Sequence, residues 1–127
     1  MAASRRFARD IVSRIVEAYN AKDAEALIEL YQPDARYWSA LDDWQEGRAT
    51  IRSHIEDLHR RLPDEQMSID AVMTDGDAVV AEFTSSGTAP SGGRYQISFT
   101  EVIELRDGKI ASVMVYLDPE EVERIMG

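Results

Sequence analysis

The chain has 127 residues, of which 24 are acidic and 14 are Lys or Arg, so its net charge is -10. Such a charge repels phosphate backbones and anionic lipids, which excludes nucleic acid and membrane surfaces as expected partners. Cysteine is absent, so disulfides and thiolate metal sites are excluded as well. The length and the 44% of hydrophobic residues predict one globular domain over residues 1–127.

The start of the chain indicates where the protein resides. The first ten residues carry positive charge but are not followed by the apolar segment of a signal peptide. No apolar run approaches the roughly 18 residues that a membrane-spanning helix requires. The absence of cysteine also fits a reducing compartment. We therefore expect a cytoplasmic protein.

Helical periodicity dominates the first half of the chain. It predicts one helix over about residues 5–20, a second capped by Asp23 and ended by Pro33, and a third from about Arg48 to Pro63. Between the last two helices we expect a short strand at residues 36–38 and an irregular loop at residues 39–48. The inward residues of the three helices are predicted to be Phe7, Ile11, Ile15 and Tyr19; Ala26, Leu27, Leu30 and Tyr31; and Ile51, Ile55, Leu58 and Leu62.

Long strands dominate the second half. Residues 66–73 and 78–89 are predicted strands, and two more form a hairpin whose corner is Asp107-Gly108, a strong hairpin signal. Asp118 and Pro119 then begin a short final helix. The predicted order α-α-β-α-β-β-β-β-α gives an α+β fold, with helices on one face of a curved antiparallel sheet.

Glu101 is the most informative single residue. Side chains alternate between the two faces of a strand, so Glu101 shares its face with Phe99, Ile103 and Leu105. A carboxyl group in an apolar pocket has a pKa raised toward neutrality and can act as a general acid or base. The alternative is an ion pair at a pocket rim or subunit contact, with Arg94 or Arg48.

Glu82 is a possible neighbour of Glu101. A symmetric turn between the two strands would place residues near 82 opposite Glu101, where like charges would repel. In the other arrangement Phe83 points inward and Glu82 faces solvent. The second arrangement is favoured because Phe83 needs burial.

Several aromatic and imidazole side chains are further candidates. Trp38, Tyr37 and Trp44 surround the loop expected at the pocket mouth, where they would either hold a flat ligand or close the core. The Tyr19 hydroxyl either donates to a ligand or bonds to a nearby partner. His54 is a candidate base, although a surface or hydrogen-bonded role is the more common one for such a residue. No cofactor motif or metal-binding pair is present in the sequence.

Three segments resemble the SnoaL-like branch of the nuclear transport factor 2-like superfamily. They are residues 20–37, Gly47-Arg-Ala-Thr-Ile-Arg52, and Val102-Ile-Glu-Leu-Arg-Asp-Gly-Lys-Ile110 followed by Tyr116-Leu-Asp118. The resemblance implies a cone-shaped half-barrel, also called cystatin-like, whose sheet wraps around N-terminal helices and leaves an apolar pocket. It also implies homodimers formed through the outer face of the sheet. Because this fold carries many activities, it does not by itself name one.

The resemblance does not carry over a known catalytic set. The general base of ketosteroid isomerases falls on Ser39, their tyrosine donor on Ile15, and their neutral aspartic acid near Glu101. The catalytic Asp of limonene-epoxide hydrolases falls on Val115. Neither activity is therefore assigned.

Two functions remain open at this stage. The first is a pocket protein for a small hydrophobic metabolite, acting as a cofactor-free isomerase, cyclase or dehydratase with Glu101, Tyr19 and His54 as candidate catalytic residues. The second is a non-catalytic ligand-binding or dimeric interaction module. Residues expected to line the pocket are Ile15, Tyr37, Trp38, Trp44, Ile55, Phe83, Phe99, Ile103, Val113, Val115 and Leu117.

Overall fold

A computed structural model describes residues 4–127, which form four helices and six strands. The helices are α1 (Arg5–Asn20), α2 (Ala24–Ile28), α3 (Arg48–Arg61) and α4 (Pro119–Met126). The strands are β1 (Tyr31–Ser39), β2 (Asp42–Glu46), β3 (Gln66–Asp75), β4 (Ala78–Thr88), β5 (Arg94–Arg106) and β6 (Lys109–Tyr116). This α+β order confirms the predicted fold class and adds one strand, β2.

The helix starts follow the capping residues in the sequence. The side chain of Asp23 accepts a hydrogen bond from the backbone N–H of Ala26, and Asp118 accepts one from Glu120. Along α1, residues such as Ile11 and Ile15 are buried at helical spacing, as predicted. No helix among residues 4–127 is long and apolar enough to cross a bilayer.

All strands belong to one sheet in the order β2-β1-β6-β5-β4-β3. Neighbouring strands are antiparallel except β1 and β6, which run parallel. The expectation of a wholly antiparallel sheet is wrong for this pair. A parallel pairing is possible here because most of the chain lies between β1 and β6, so no tight turn has to join them.

The segment around β1 departs most from the prediction. Helix α2 ends at Ile28, and Tyr31 already begins a strand. Ala26, which was expected to point inward, is exposed on α2. Pro33 lies inside that strand, where the β1–β6 pairing shifts register between Tyr31 and Arg36. A proline is tolerated there because its missing N–H is not needed by the ladder.

The predicted loop over residues 39–48 contains the edge strand β2. Arg36 on β1 pairs with Glu46 on β2, and their side chains form an ion pair at 3.2 Å. The composition of β2 is polar and its residues are mostly exposed. A polar edge strand has no alternating apolar pattern, which is why the periodicity did not reveal it.

The β5–β6 hairpin is confirmed. Asp107 and Gly108 both have positive φ, at 53° and 76°, as a two-residue hairpin turn requires. On β5, Glu101 is paired with Ala81 of β4, whereas Glu82 is paired with Thr100 and is exposed. The inward position of Phe83, which is fully buried, therefore decided the orientation of Glu82 as favoured above.

The outer face of the sheet carries an apolar stripe. Every strand except β2 contributes one residue to it. The strands in spatial order are β1, β6, β5, β4 and β3, and the residues paired in register across them are Trp38, Met114, Val102, Val80 and Met73. Met73 is 51% exposed, and the other four are partly buried. The helices cover the opposite, concave face.

Candidate functional site

A cavity of about 460 Å³ lies between the concave face of the sheet and the helices. This volume is within the range of sites for small organic ligands. Helix α4 has no fully buried residue, and its apolar side chains form part of the cavity wall. Two of the polar regions in the cavity wall are centred on Glu101 and on Glu65.

Glu101 lies in the apolar wall of the cavity. Its neighbours in register are Ala81 and Val115, and the rings nearby on its own face are those of Phe99, Tyr31 and Tyr37. Its carboxyl forms no hydrogen bond or ion pair with any other residue of the range 4–127. Burial alone raises the pKa of Glu101 from its usual 4.5 to about 7.

Two phenol hydroxyls accompany Glu101. Burial raises the pKa values of Tyr31 and Tyr37 well above their usual range, and the nearby Glu101 carboxylate raises them further. Both phenols therefore stay protonated at neutral pH and can donate a hydrogen bond. Neither hydroxyl is hydrogen-bonded within the described part of the chain, so both remain available to a ligand.

His54 lies on the cavity side of α3. Its ring packs against Tyr37 with the two centroids 5.2 Å apart. Burial lowers the pKa of His54 below its usual value, although Asp42 and Asp57 partly oppose this. The imidazole is therefore neutral at neutral pH and lies next to one of the two phenols rather than at the carboxyl group.

The second polar region is formed by Glu65, in the turn between α3 and β3. Glu65 is only 8% exposed. Its Oε1 accepts a hydrogen bond from the Tyr19 hydroxyl at 2.5 Å, and its Oε2 accepts one from Ser85 Oγ at 2.5 Å. Each carboxyl oxygen of Glu65 thus has a hydroxyl partner inside the protein.

Two further side chains border this region. Lys22 Nζ donates to the backbone oxygen of Glu65 at 2.5 Å and not to its carboxylate. The Tyr95 hydroxyl is buried next to Ser85 and Glu65 and forms no well-aligned hydrogen bond within residues 4–127. Burial, and the charge of Glu65, raise the pKa of Tyr95 to about 12. Glu65 is thus held at the cavity wall by Tyr19 of α1, Ser85 of β4 and Lys22 in the turn after α1.

The predicted catalytic residues are not all together. Glu101 and His54 both line the cavity near Tyr37, whereas Tyr19 bonds to Glu65 in the other region. Tyr19 therefore does not supply a free donor beside Glu101. Its ring packs edge-on against His59, with centroids 4.7 Å apart.

Six of the residues expected to line a pocket border the cavity. Ile15, Tyr37, Ile55, Phe99, Val115 and Leu117 line the cavity. Phe83, Ile103 and Val113 do not, because they are fully buried in the packed core behind it. Trp38 and Trp44 do not line the cavity either. Because side chains alternate along β1, Trp38 points to the outer face of the sheet, where its ring centroid lies 6.5 Å from that of Trp44 and 5.2 Å from that of Tyr116.

The residues that the sequence analysis missed are Tyr31, Glu65, Ser85 and Tyr95. Ser85 had a usable signal, since it alternates with Phe83 on the inward face of β4. Tyr31 was placed inward but on a helix. Glu65 gave no signal, because a polar residue in a turn is normally exposed. Among residues 4–127, no group of three or more His, Asp and Glu side chains is arranged to hold a metal ion.

Comparison with known proteins gives one family and several relatives. The SnoaL-like domain family matches residues 12–113 of the chain. YesE of Bacillus subtilis (strain 168), an uncharacterized protein, is 32% identical over 85 residues, which are 65% of this chain. The match spans 58% of the length of YesE.

Solved structures share the fold. A "putative isomerase" from Bacillus subtilis is 25% identical, with a TM-score of 0.85 over 94% of this chain and 92% of that one. A "putative polyketide cyclase" from Xanthomonas campestris pv. campestris is 23% identical, with a TM-score of 0.86 over 98% and 100% of the two chains. An NTF2-like protein of unknown function from Burkholderia pseudomallei K96243 is 18% identical, with a TM-score of 0.86 over 94% and 97%.

Proposed function

The chain belongs to the SnoaL-like domain family, and we propose that it binds a small hydrophobic carbonyl compound and moves a proton on it without a cofactor. The observation that carries this proposal is the unpartnered Glu101 carboxyl in the wall of the cavity. Its pKa of about 7 makes both the acid and the base form available at neutral pH. A group with a pKa near the working pH is the most effective general acid or base.

The proposed step is proton transfer at the carbon next to the carbonyl. The Glu101 carboxylate takes the proton, and the electron pair of the broken C–H bond moves toward the carbonyl oxygen to give an enolate. Tyr31 and Tyr37 donate hydrogen bonds to that oxygen, where negative charge develops. In a β,γ-unsaturated ketone the enolate is conjugated with the carbon–carbon double bond. Return of the proton from Glu101 to the γ-carbon then moves that double bond into conjugation with the carbonyl and completes an isomerisation, and no other reactant is consumed. In a saturated ketone the proton returns to the α-carbon and the net result is hydrogen exchange.

The fit of the cavity supports this proposal. The wall near the carboxyl includes the apolar residues Phe99, Val115 and Leu117, and its polar members besides Glu101, the phenols and His54 include Ser39 and Asp42. An apolar wall binds a hydrophobic ligand and excludes water, which strengthens the hydrogen bonds to the enolate. The names of the isomerase-like and cyclase-like structural neighbours accord with such chemistry. A non-catalytic ligand-binding module is the alternative, and it would bind the same ligands without turning them over.

A thermal-shift screen tests ligand binding. The panel contains cyclic ketones, terpenoids, steroids and aromatic polyketides. The proteins are the wild type, Glu101→Gln, and Glu104→Gln as a matched control, because Glu104 is exposed on the same strand. We expect carbonyl compounds to raise the Tm of the wild type and of the control, with a much smaller rise for Glu101→Gln. Hits that stabilise all three proteins equally would place the ligand away from Glu101.

We also propose that the protein forms a homodimer through the apolar stripe on the outer face of the sheet. The stripe leaves Met73, Trp38 and their neighbours partly exposed, and burial of such a surface against a second copy is favourable. The homodimer is also what the family resemblance implies.

The cytoplasmic location stays a prediction from the sequence.

A further inference from the structure

The Glu65 region is a polar site that the proposed reaction does not use. It is in the same cavity as Glu101 but at a different position along the sheet. Ser85, which bonds to Glu65, is paired with Ile97 on β5, and Glu101 is four residues further along that strand. At about 3.3 Å per residue, the two polar regions are roughly 13 Å apart.

Glu65 is buried, and Lys22 is close enough for the two charges to interact but does not contact the carboxyl group. Within residues 4–127, no Lys, Arg or His nitrogen forms an ion pair with it. Lys22 is nearby but bonds to the backbone oxygen of Glu65. Buried charges are normally paired, and an unpaired one retains a strong demand for hydrogen-bond donors.

Only part of that demand is met inside the protein. A carboxylate offers about four acceptor positions, and Tyr19 and Ser85 fill one on each oxygen. The Tyr95 hydroxyl is enclosed by protein atoms next to Ser85 and Glu65, so it is a third donor close to this carboxyl group and leaves fewer positions for a ligand. Glu65 itself borders the cavity, and its remaining acceptor positions are therefore those that a ligand can reach.

We propose that Glu65 binds a hydrogen-bond donor, a hydroxyl or an amine, at the far end of an elongated ligand whose carbonyl group lies at Glu101. The inference rests on the proposed function and narrows its substrate class. The ligand has an apolar middle that matches Ile97 and Phe99, which line the cavity between the two carboxyl groups. A carbonyl compound with no donor at its other end would leave Glu65 without a ligand partner.

The alternative role of Glu65 is purely structural. Through its hydrogen bonds it ties α1, β4 and the turn before β3 together. In that case replacing Glu65 would disturb the structure of the cavity and weaken the binding of every ligand equally. The two roles are therefore separated by comparing ligands that differ only in the donor.

The test uses three flat ketones: 4-acetylbiphenyl and its 4′-hydroxy and 4′-methoxy derivatives. The methoxy compound retains the ether oxygen and lacks the donor, and a 4′-amino derivative tests the second kind of donor. Affinities for the wild-type protein are measured by isothermal titration calorimetry. We expect the hydroxy compound to bind at least about tenfold more tightly than the methoxy compound, as one charge-assisted hydrogen bond predicts. Equal binding of the two would overturn the inference.

Variants assign the effect to Glu65. Glu65→Gln is expected to abolish the preference for the hydroxy compound while binding of 4-acetylbiphenyl changes little. Glu82→Gln, an exposed carboxyl on β4, is the matched control and should keep the preference. A loss of affinity for all the ketones in Glu65→Gln would instead show a structural role.

A second measurement does not depend on the folding of a variant. Met67 is paired with Ser85, and Val115 is paired with Glu101, so their methyl groups mark the two ends of the cavity. In the wild-type complex we expect contacts by nuclear Overhauser effect from the hydroxylated ring to Met67 and from the acetyl group to Val115. The reverse orientation would contradict the inference and leave the proposed function standing. Failure of every ketone to bind would contradict the proposed function itself.

Discussion

The charge state of Glu101 depends on its surroundings more than on any single contact. Its pKa is raised by burial, with no ion pair to oppose the shift. A neighbouring Arg would have lowered the pKa and made the residue a permanent carboxylate. The two arginines considered from the sequence are engaged elsewhere: Arg94 with Asp64 at 3.1 Å, and Arg48 with the backbone oxygen of Tyr31 at 2.9 Å.

This pKa has a consequence for stability. Glu101 titrates at about 7 in the folded protein and at 4.5 when exposed. Between these values the unfolded chain has lost a proton that the folded protein keeps. The contribution of Glu101 to the free energy of unfolding therefore falls as pH rises through this window, and is constant above it. The full shift corresponds to about 3 kcal/mol.

Glu101→Gln removes this titration and its unfavourable effect at high pH. We expect the stability of the variant, relative to wild type, to increase by up to about 3 kcal/mol as pH rises from the usual carboxyl range to about 8. Urea denaturation at a series of pH values measures this difference. Glu104→Gln is the control and should follow the wild type more closely. A difference between Glu101→Gln and wild type that is independent of pH would show that Glu101 is not desolvated.

At the scale of elements, the sequence predicted those that have a local cause. The β5–β6 hairpin follows from Asp107-Gly108, and the starts of α2 and α4 follow from Asp23 and Asp118, because turns and caps depend on nearby residues. Strand β2 was missed because only its pairing with β1 makes it a strand. The parallel pairing of β1 and β6 also has no local signal in either strand.

The dimer prediction depends on the apolar stripe on the outer face of the sheet. Val102 is at the centre of the apolar stripe, between Met114 and Val80. A charge at this position would have to be buried against the partner subunit without a counter-ion, which is costly. We expect sedimentation velocity to show a dimer for the wild type and a monomer for Val102→Lys. Ala49→Lys, at an exposed position on α3, is the control and should remain a dimer. A monomeric wild type would refute this interface.

At the scale of the whole molecule, the fold could be predicted and the site only in part. Glu101 was found because a carboxyl on an apolar strand face breaks a pattern that depends on one strand alone. The Glu65 region could not be found in this way, since Tyr19, Glu65 and Ser85 come from three separate segments. Only tertiary packing brings a turn residue, a helix and a strand together around one carboxylate.

The two polar regions make the two ends of the cavity chemically different. Glu101 lies in an apolar part of the wall with two phenols beside it, whereas Glu65 borders the cavity and is already hydrogen-bonded to Tyr19 and Ser85. The first suits a group that changes its charge during a reaction, and the second suits one that only holds a ligand. We therefore propose that Glu101 transfers the proton and that Glu65 orients the substrate.

The most direct test of the central claim is hydrogen exchange into a bound ketone. A ketone that passes the thermal-shift screen is incubated in D₂O with the wild type, Glu101→Gln or Glu104→Gln, and loss of the protons next to its carbonyl is followed by ¹H NMR. We expect catalysed exchange by the wild type and the Glu104 variant, and a rate at least about 100-fold lower for Glu101→Gln. Binding without any catalysed exchange, or equal exchange by all three proteins, would contradict the assignment of Glu101 as the acid and base.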